Sequence, residues 1–181
     1  MKTRSEKSNA AIITARRNQV LDRQGYGSLL FRILFLIAVF WALLSYVFLI
    51  TQVSGNDMFP AVKDGDLVIG FRLQQEYAKG DVVAYKVNGK THFGRIAARA
   101  TDVVTLDDSG TLLVNGTAQS GEILYPTCAK EGLEYPYRVP EGHVFLLGDY
   151  RTQTEDSRDF GPIPMENVLG KVITILRRRG L

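Results

Sequence analysis

From Ile33 to Asn56 the chain carries no charged side chain, and within that stretch Ile33 to Ile50 reads ILFLIAVFWALLSYVFLI. At about 1.5 Å per residue the run spans roughly 27 Å as a helix, close to the ~30 Å of a bilayer's hydrocarbon layer. A core helix of a soluble domain keeps one polar face, and this run keeps only Ser45 and Tyr46. A cleaved secretory signal has a shorter apolar region with a small-residue site close behind it, and none follows here. The sequence therefore predicts a basic segment over 1–28, a membrane-crossing helix over 29–51 and an outer domain over 52–181.

Charge gives the orientation. Residues 1–32 hold seven basic side chains (Lys2, Arg4, Lys7, Arg16, Arg17, Arg23 and Arg32) against Glu6 and Asp22, while the rest of the chain is slightly acidic, with 15 basic and 17 acidic residues. The positive-inside rule leaves such a leader in the cytoplasm, with Arg32 snorkelling to the interface and the outer domain across the membrane. The net charge of +3 thus reflects topology, not a groove for nucleic acid, and no nucleic-acid partner is expected. The partner implied is the lipid bilayer of the cell membrane, crossed once. Arg177, Arg178 and Arg179 read as a solvated tail, or alternatively as a contact with anionic headgroups.

The single Cys128 excludes an internal disulfide. With two His and neither HExxH nor CxxC spacing, no metal is expected, and no GxGxxG or GK[ST] loop points to a nucleotide, so no cofactor is expected at all. His92 and His143 read as strand-end packing, and Cys128 as a loop thiol. Residues 5–28 suit either an amphipathic helix or a disordered segment, with Gly25 and Gly27 favouring a break before the anchor.

Beyond the anchor, Asp66–Phe71, Asp81–Val87, Val103–Leu106, Thr111–Val114 and His143–Leu147 are rich in branched and aromatic residues. Between them lie turn signals at 63–66, Asn88-Gly89, Asp108-Ser-Gly and Asn115-Gly116. Asn115-Gly-Thr matches a glycosylation sequon but is more simply a hairpin turn. The outer domain is expected to be mainly β, an antiparallel barrel or sandwich of short strands and hairpins.

Three blocks identify a family: Val53-Ser-Gly-Asn-Asp-Met-Phe-Pro followed by Lys63-Asp-Gly-Asp; Lys79-Gly-Asp-Val-Val-Ala-Tyr leading to Phe93-Gly-Arg-Ile-Ala-Ala; and Val139-Pro-Glu-Gly-His through Gly148-Asp-Tyr-Arg and Asp156-Ser-Arg-Asp-Phe-Gly-Pro-Ile-Pro. Behind one N-terminal anchor, their order and spacing resemble bacterial type I signal peptidases, of the Gram-positive kind. The resemblance implies a membrane-anchored β domain that removes signal peptides with a serine nucleophile and a lysine general base.

Both reactive groups are replaced. The family's serine directly precedes the Met of its Ser-Met-x-Pro motif, where this chain has Asp57; its lysine directly precedes an Arg, where this chain has Gly94. Gly94 offers no amine, and a carboxylate attacks an amide poorly because it is a far better leaving group than an amine. An aspartic mechanism needs two carboxylates holding a water, and the only candidates for a second, Asp66 and Asp149, sit in turns. Losing the nucleophile of a serine protease costs on the order of 10⁶ in rate. The resemblance with this alteration implies a pseudo-enzyme.

The remaining family positions are occupied. By resemblance, Gly55, Asn56, Met58, Pro60, Phe93 and Arg95 line the substrate groove, Gly55 at a position where close backbone approach helps form the oxyanion hole. Gly148, Asp149, Arg151, Thr154, Asp156, Ser157 and Arg158 support it, with Asp156 and Arg158 as an ion pair, Thr154 where a serine usually contacts the lysine, and Tyr150 in place of an Asn. The Asp57 carboxylate is expected either to fold onto the backbone N–H groups meant for an oxyanion or to receive a Lys or Arg from a partner.

The leading functional expectation is a silent signal-peptidase homologue that holds exported chains as an added strand. Resemblance narrows this to pilus assembly in Gram-positive cocci, with pilin or sortase as partner. The alternatives are an active signal peptidase I with altered chemistry, and a scaffold that acts through another face of the outer domain.

Overall fold

The computed structural model describes residues 4–119 and 125–177, with side chains from residue 25 onward. Lys2, Arg178 and Arg179 lie outside the described residues, as do the side chains of Arg4, Lys7, Arg16, Arg17 and Arg23. The chain divides into two units, Met1–Leu44 and Ser45–Leu181.

Helix α1 covers Arg4–Val47. It runs unbroken through Gly25 and Gly27, against the expected break. A helical glycine costs only about 1 kcal/mol relative to alanine, and no proline is present to remove a backbone donor. Its segment Gly25–Val47 has a mean hydropathy of 2.3 and is long and apolar enough to cross a membrane. Leu34, Phe35, Leu36, Ile37, Phe40 and Trp41 are all exposed along it. The expected anchor limit of residue 51 is corrected. The helix ends at Val47, and Phe48–Gln52 form strand β1, paired antiparallel with β2 (Leu67–Phe71) from Phe48↔Phe71 to Gln52↔Leu67. Leu49 belongs to the core of the second unit, 7% exposed beside Val53 and Val68.

The second unit is mainly antiparallel β, as expected. In chain order the remaining strands are β3 (Val82–Val87), β4 (Lys90–Arg99), β5 (Val103–Leu106), β6 (Leu112–Val114), β7 (Thr117–Ala118), β8 (Tyr137–Arg138), β9 (His143–Leu147), β10 (Ile163–Pro164) and β11 (Val168–Leu176), with a short helix α2 (Ser157–Phe160) after β9. A seven-stranded sheet runs β1-β2-β11-β3-β4-β9-β10, and a four-stranded sheet runs β7-β6-β5-β8. The two Asn-Gly pairs form the turns the sequence predicts. Asn88 and Gly89 (φ 50 and 80) close β3 onto β4, and Asn115 and Gly116 (φ 54 and 78) close β6 onto β7. Positive φ at both central residues matches the twist of a tight hairpin. The Asn115 amide also receives the Val103 N–H and donates to Asp102, which fixes it in its turn.

One core joins the sheets: Ala97, Phe145 and Leu147 from the large sheet pack with Val104, Leu112 and Val114 from the small one. A second fills the β1-β2 end around Met58, Val62, Ala84 and Phe93, and a third holds Tyr85, Ile96, Leu146 and Ile163. Strand β11, which the sequence does not announce, lies between β2 and β3. Its ladder shifts register at Gly170, where the backbone passes against β2: an added Cβ would lie 2.6 Å from the Phe71 carbonyl oxygen. A contact that close to main chain cannot relax by a rotamer change. Gly170→Ala is expected to destabilise the unit by about 1–3 kcal/mol, the usual cost of overpacking, read as a lower urea midpoint by circular dichroism of the full chain in detergent.

Candidate functional site

The third sequence block is built around a buried charge pair. Arg158 and Asp156 are each 1% exposed, joined by Nε–Oδ1 and Nη2–Oδ2 contacts of 2.9 and 2.7 Å. Asp156 also caps α2 by accepting the Arg158 N–H. The Thr154 hydroxyl donates to Asp156 Oδ2 at 2.9 Å, so this hydroxyl is used in bracing the pair. Arg158 reaches further, donating to the carbonyls of Arg151 and Cys128. Ser157 Oγ accepts the Leu146 N–H and ties α2 to β9. The Asp156 carboxylate further accepts the Gly148 N–H.

This brace sets the Asp57 segment. The Tyr150 N–H donates to the Asp57 carbonyl at 3.0 Å. Gly148 makes the approach possible, because an added Cβ there would lie 2.6 Å from the Asp57 carbonyl oxygen and 2.4 Å from Thr154 Cγ2. The Asp57 carboxylate does not fold onto backbone donors. Among the described residues it accepts no hydrogen bond, and its nearest ionic neighbour is His92 Nδ1 at 3.9 Å. The expectation of a plugged oxyanion hole is therefore corrected: the carboxylate lies toward an imidazole. Burial pushes the Asp57 carboxyl above its ordinary range, His92 pulls it back, Glu155 and Asp156 push it up again, and Lys130 opposes them.

Gly94 faces the Tyr85 ring. Tyr85 is 1% exposed, and an added Cβ at Gly94 would lie 3.1 Å from its Cε1. His92 stacks on the same ring, with centroids 5.6 Å apart, and meets Phe160 edge-on at 5.5 Å. The two altered positions thus border one cluster of Tyr85, His92 and Asp57. His92 belongs to the site, beyond the strand-end packing the sequence suggests. His143 does sit at a strand end, with Nδ1 against the Glu141 carbonyl.

The other expected groove residues divide. Asn56 and Pro60 are exposed, whereas Met58 and Phe93 are 1% and 5% exposed and form the floor. The Gly55 N–H is taken by Asp64 Oδ1 at 2.8 Å, and nothing lies within 4 Å of a Cβ added there. Its φ of +97° is a backbone conformation that calls for glycine. Arg95 is committed to Asp149 through contacts of 2.8 and 2.6 Å and to the Gly80 carbonyl, which makes it a brace at the groove edge. Asp149 is thereby occupied, and Asp66 accepts the Lys63 N–H, so neither joins Asp57 in a carboxylate pair. Lys130 has no signal in the sequence. Its ammonium contacts the Thr154 carbonyl and, at 2.6 Å, Asp159 Oδ2. Among the described residues no serine hydroxyl lies within hydrogen-bond reach of a lysine. No group of three or more His, Cys, Asp or Glu is arranged to hold a metal among them either.

On the sequence that builds this geometry, residues 27–176 match the family model described as signal peptidase, peptidase S26. The chain belongs to that family. It is similar to a probable thylakoidal processing peptidase 2 of Arabidopsis thaliana, 31% identical over 67% of this chain and 36% of that one. It is also similar to signal peptidase I of Bacillus caldolyticus, 28% identical over 70% and 78%, and to signal peptidase IB of Staphylococcus aureus, 30% identical over 75% and 83%. The match thus spans little more than a third of the first plant relative and most of the bacterial ones. A crystal structure of a signal peptidase I from Enterococcus faecalis aligns at TM-score 0.44 with 27% identity, over 55% of this chain and 98% of that one.

The charges of the site generate two tests. Arg158→Met strips the counter-ion from a buried carboxylate and is expected to cost about 3–5 kcal/mol, read by urea unfolding in detergent. Asp57 holds its proton more tightly in the folded state, so ionising it opposes folding as pH rises from the ordinary 3.8 through the raised folded value. Asp57→Asn should therefore melt with the parent chain below that range and above it at neutral pH, a gap that differential scanning calorimetry across pH would display.

Proposed function

We propose that this protein is a membrane-anchored, catalytically silent member of the signal peptidase family that clasps exported polypeptides without cutting them. Its N-terminus lies in the cytoplasm and its β unit outside, the arrangement that the basic leader favours. The family works on exported proteins, and this chain keeps its framework.

The observation that carries the reading is at Gly94, where the general base would stand. Tyr85 Cε1 lies 3.1 Å from the place a Cβ would take there. Gly94 supplies no amine to take a proton, and a Cβ there would need that ring to shift by only a few tenths of an ångström. Asp57, in the nucleophile's place, presents a carboxylate to His92. The means of gripping a peptide are separate from these groups. β4 pairs with β3 along Lys90–Arg95 but with β9 only from Arg95 onward, so its other edge is unpaired across residues 90–94 among the described strands. An extended peptide can add there through main-chain hydrogen bonds. In the finer form of the proposal, the bound chain is a pilin, or a sortase is the partner, and the protein assists pilus polymerisation.

A second reading keeps peptide cleavage by altered chemistry. It draws on the 3.9 Å approach of Asp57 to His92, since an imidazole beside a carboxylate is a means of taking a proton from water. One variant series separates the two. The parent chain and each single variant, Asp57→Ser or Gly94→Lys, are expected to leave a secreted precursor uncut. Asp57→Ser/Gly94→Lys supplies hydroxyl and amine together, and a correctly placed base is worth about 10²–10⁴-fold in rate. The double variant should then cut detectably at the A-x-A site on a gel. Cleavage by the parent chain would establish the second reading.

A further inference from the structure

A cavity of about 760 Å³ opens where the two sheets meet, lined by Arg95 and Ala97 of β4, Val114 of β6 and Ala118 of β7. Asp57, Gly94 and His92 are not among its lining residues, whereas Pro60 and Arg95 of the expected groove are, so it adjoins that groove away from the altered positions. Four cationic side chains border it, and two are matched. Arg95 is paired with Asp149, and Lys79 lies 3.0 Å from Asp102. The other two, Arg151 and Arg177, meet no carboxylate among the described residues. Arg177 donates to the Ala61 carbonyl at 3.3 Å.

Arg151 is the unusual one. It is 1% exposed, and its guanidinium has only neutral acceptors: Thr127 Oγ1 at 2.6 Å and Gln119 Oε1 at 3.1 Å. Its Nε–H has no acceptor among the described residues. Burial lowers its pKa to about 10, which the Asp149 and Asp156 charges only partly oppose. A buried cation with an unused donor on a cavity wall lacks an anion, because desolvation is repaid only by a well-placed opposite charge.

We propose that this cavity receives the carboxylate side chain of an acidic peptide segment, held by Arg151 and Arg177. The volume is of the size that takes a ligand of many atoms, within the about 300–1,000 Å³ of ordinary binding pockets, and far exceeds a lone oxyanion. Pro60, Ala61, Val114 and Ala118 supply small or apolar wall for the rest of such a segment. Asp149 on the same wall disfavours a dianion such as phosphate more than a singly charged carboxylate. A guanidinium fork also matches the planar carboxylate. The site is independent of the β4 edge, and stands or falls apart from capture of a peptide there.

The test is fluorescence anisotropy of the full chain in neutral detergent micelles, with a labelled, N- and C-blocked alternating Ala/Glu hexapeptide and its Ala/Gln counterpart. The Glu peptide should bind about tenfold or more tightly than the Gln peptide, as a charge-assisted contact supplies, and the gap should narrow with salt. Ala118→Phe fills the cavity from an exposed position, and Arg177→Gln removes a surface charge, so both keep the fold even if Arg151→Gln does not. Each should erase the preference. Equal binding of the two peptides, no binding of either, or a Glu preference that survives Ala118→Phe and Arg177→Gln would overturn the proposal. So would inorganic phosphate or phosphatidylglycerol vesicles binding through Arg177 when the Glu peptide does not. Crosslinking from a probe at the exposed Thr91 of β4 reports that edge separately, so loss of one reading is distinguishable from loss of the other.

Discussion

The Asp156–Arg158 pair is the constraint on which the site depends. Two charges, each almost wholly out of water, are held only because their geometry is bidentate and the surrounding donors and acceptors are matched to them. Those partners belong to different parts of the chain. Thr154 and Gly148 lie beside the Asp57 segment, the Cys128 carbonyl lies on the loop before β8, and the Arg151 carbonyl lies next to the cavity cation. One ion pair thus fixes a loop, a short helix and the backbone under Asp57 together. Removing either partner would leave the other charge buried and uncompensated, so the two are kept together.

Around that frame, chemistry and binding separate. Cleavage by the family's route needs two particular atoms, a hydroxyl oxygen and an amine nitrogen, and this chain carries neither at the matched positions. The structure has not left those positions empty. The Tyr85 ring packs against Gly94, His92 stacks on that ring, and the Asp57 carboxylate faces His92. Strand addition, in contrast, needs only a free row of backbone groups, which β4 retains beside this cluster.

Local chemistry is legible in the sequence and distant pairing is not. Both Asn-Gly turns are evident because positive φ at two successive residues selects those side chains, and the strands beside them follow. Phe48, Leu49 and Ile50 read as anchor because apolar character serves a membrane and a sheet core equally, and the first charge comes only at Asp57. β11 escapes because Gly170 and Lys171 interrupt its alternation, and its place is set by β2 and β3, roughly a hundred positions earlier in the chain. The site shows the same split. Asp57, Gly94, Asp156 and Arg158 stand out against a family pattern, whereas His92 and Tyr85 become part of it only through cross-strand register, Tyr85↔His92. Lys130 has no signal of spacing at all, and Arg151 stands out as a position in the third block but not as an unmatched cation, since loops bring their partners to them.

The most direct measurement is intact mass spectrometry of a secreted precursor recovered from the purified full-length protein after long incubation. The account predicts that the recovered chain keeps its whole mass and stays bound to the protein. Recovery of two fragments divided after an A-x-A sequence would show that Asp57 and its neighbours do perform hydrolysis, and would contradict it.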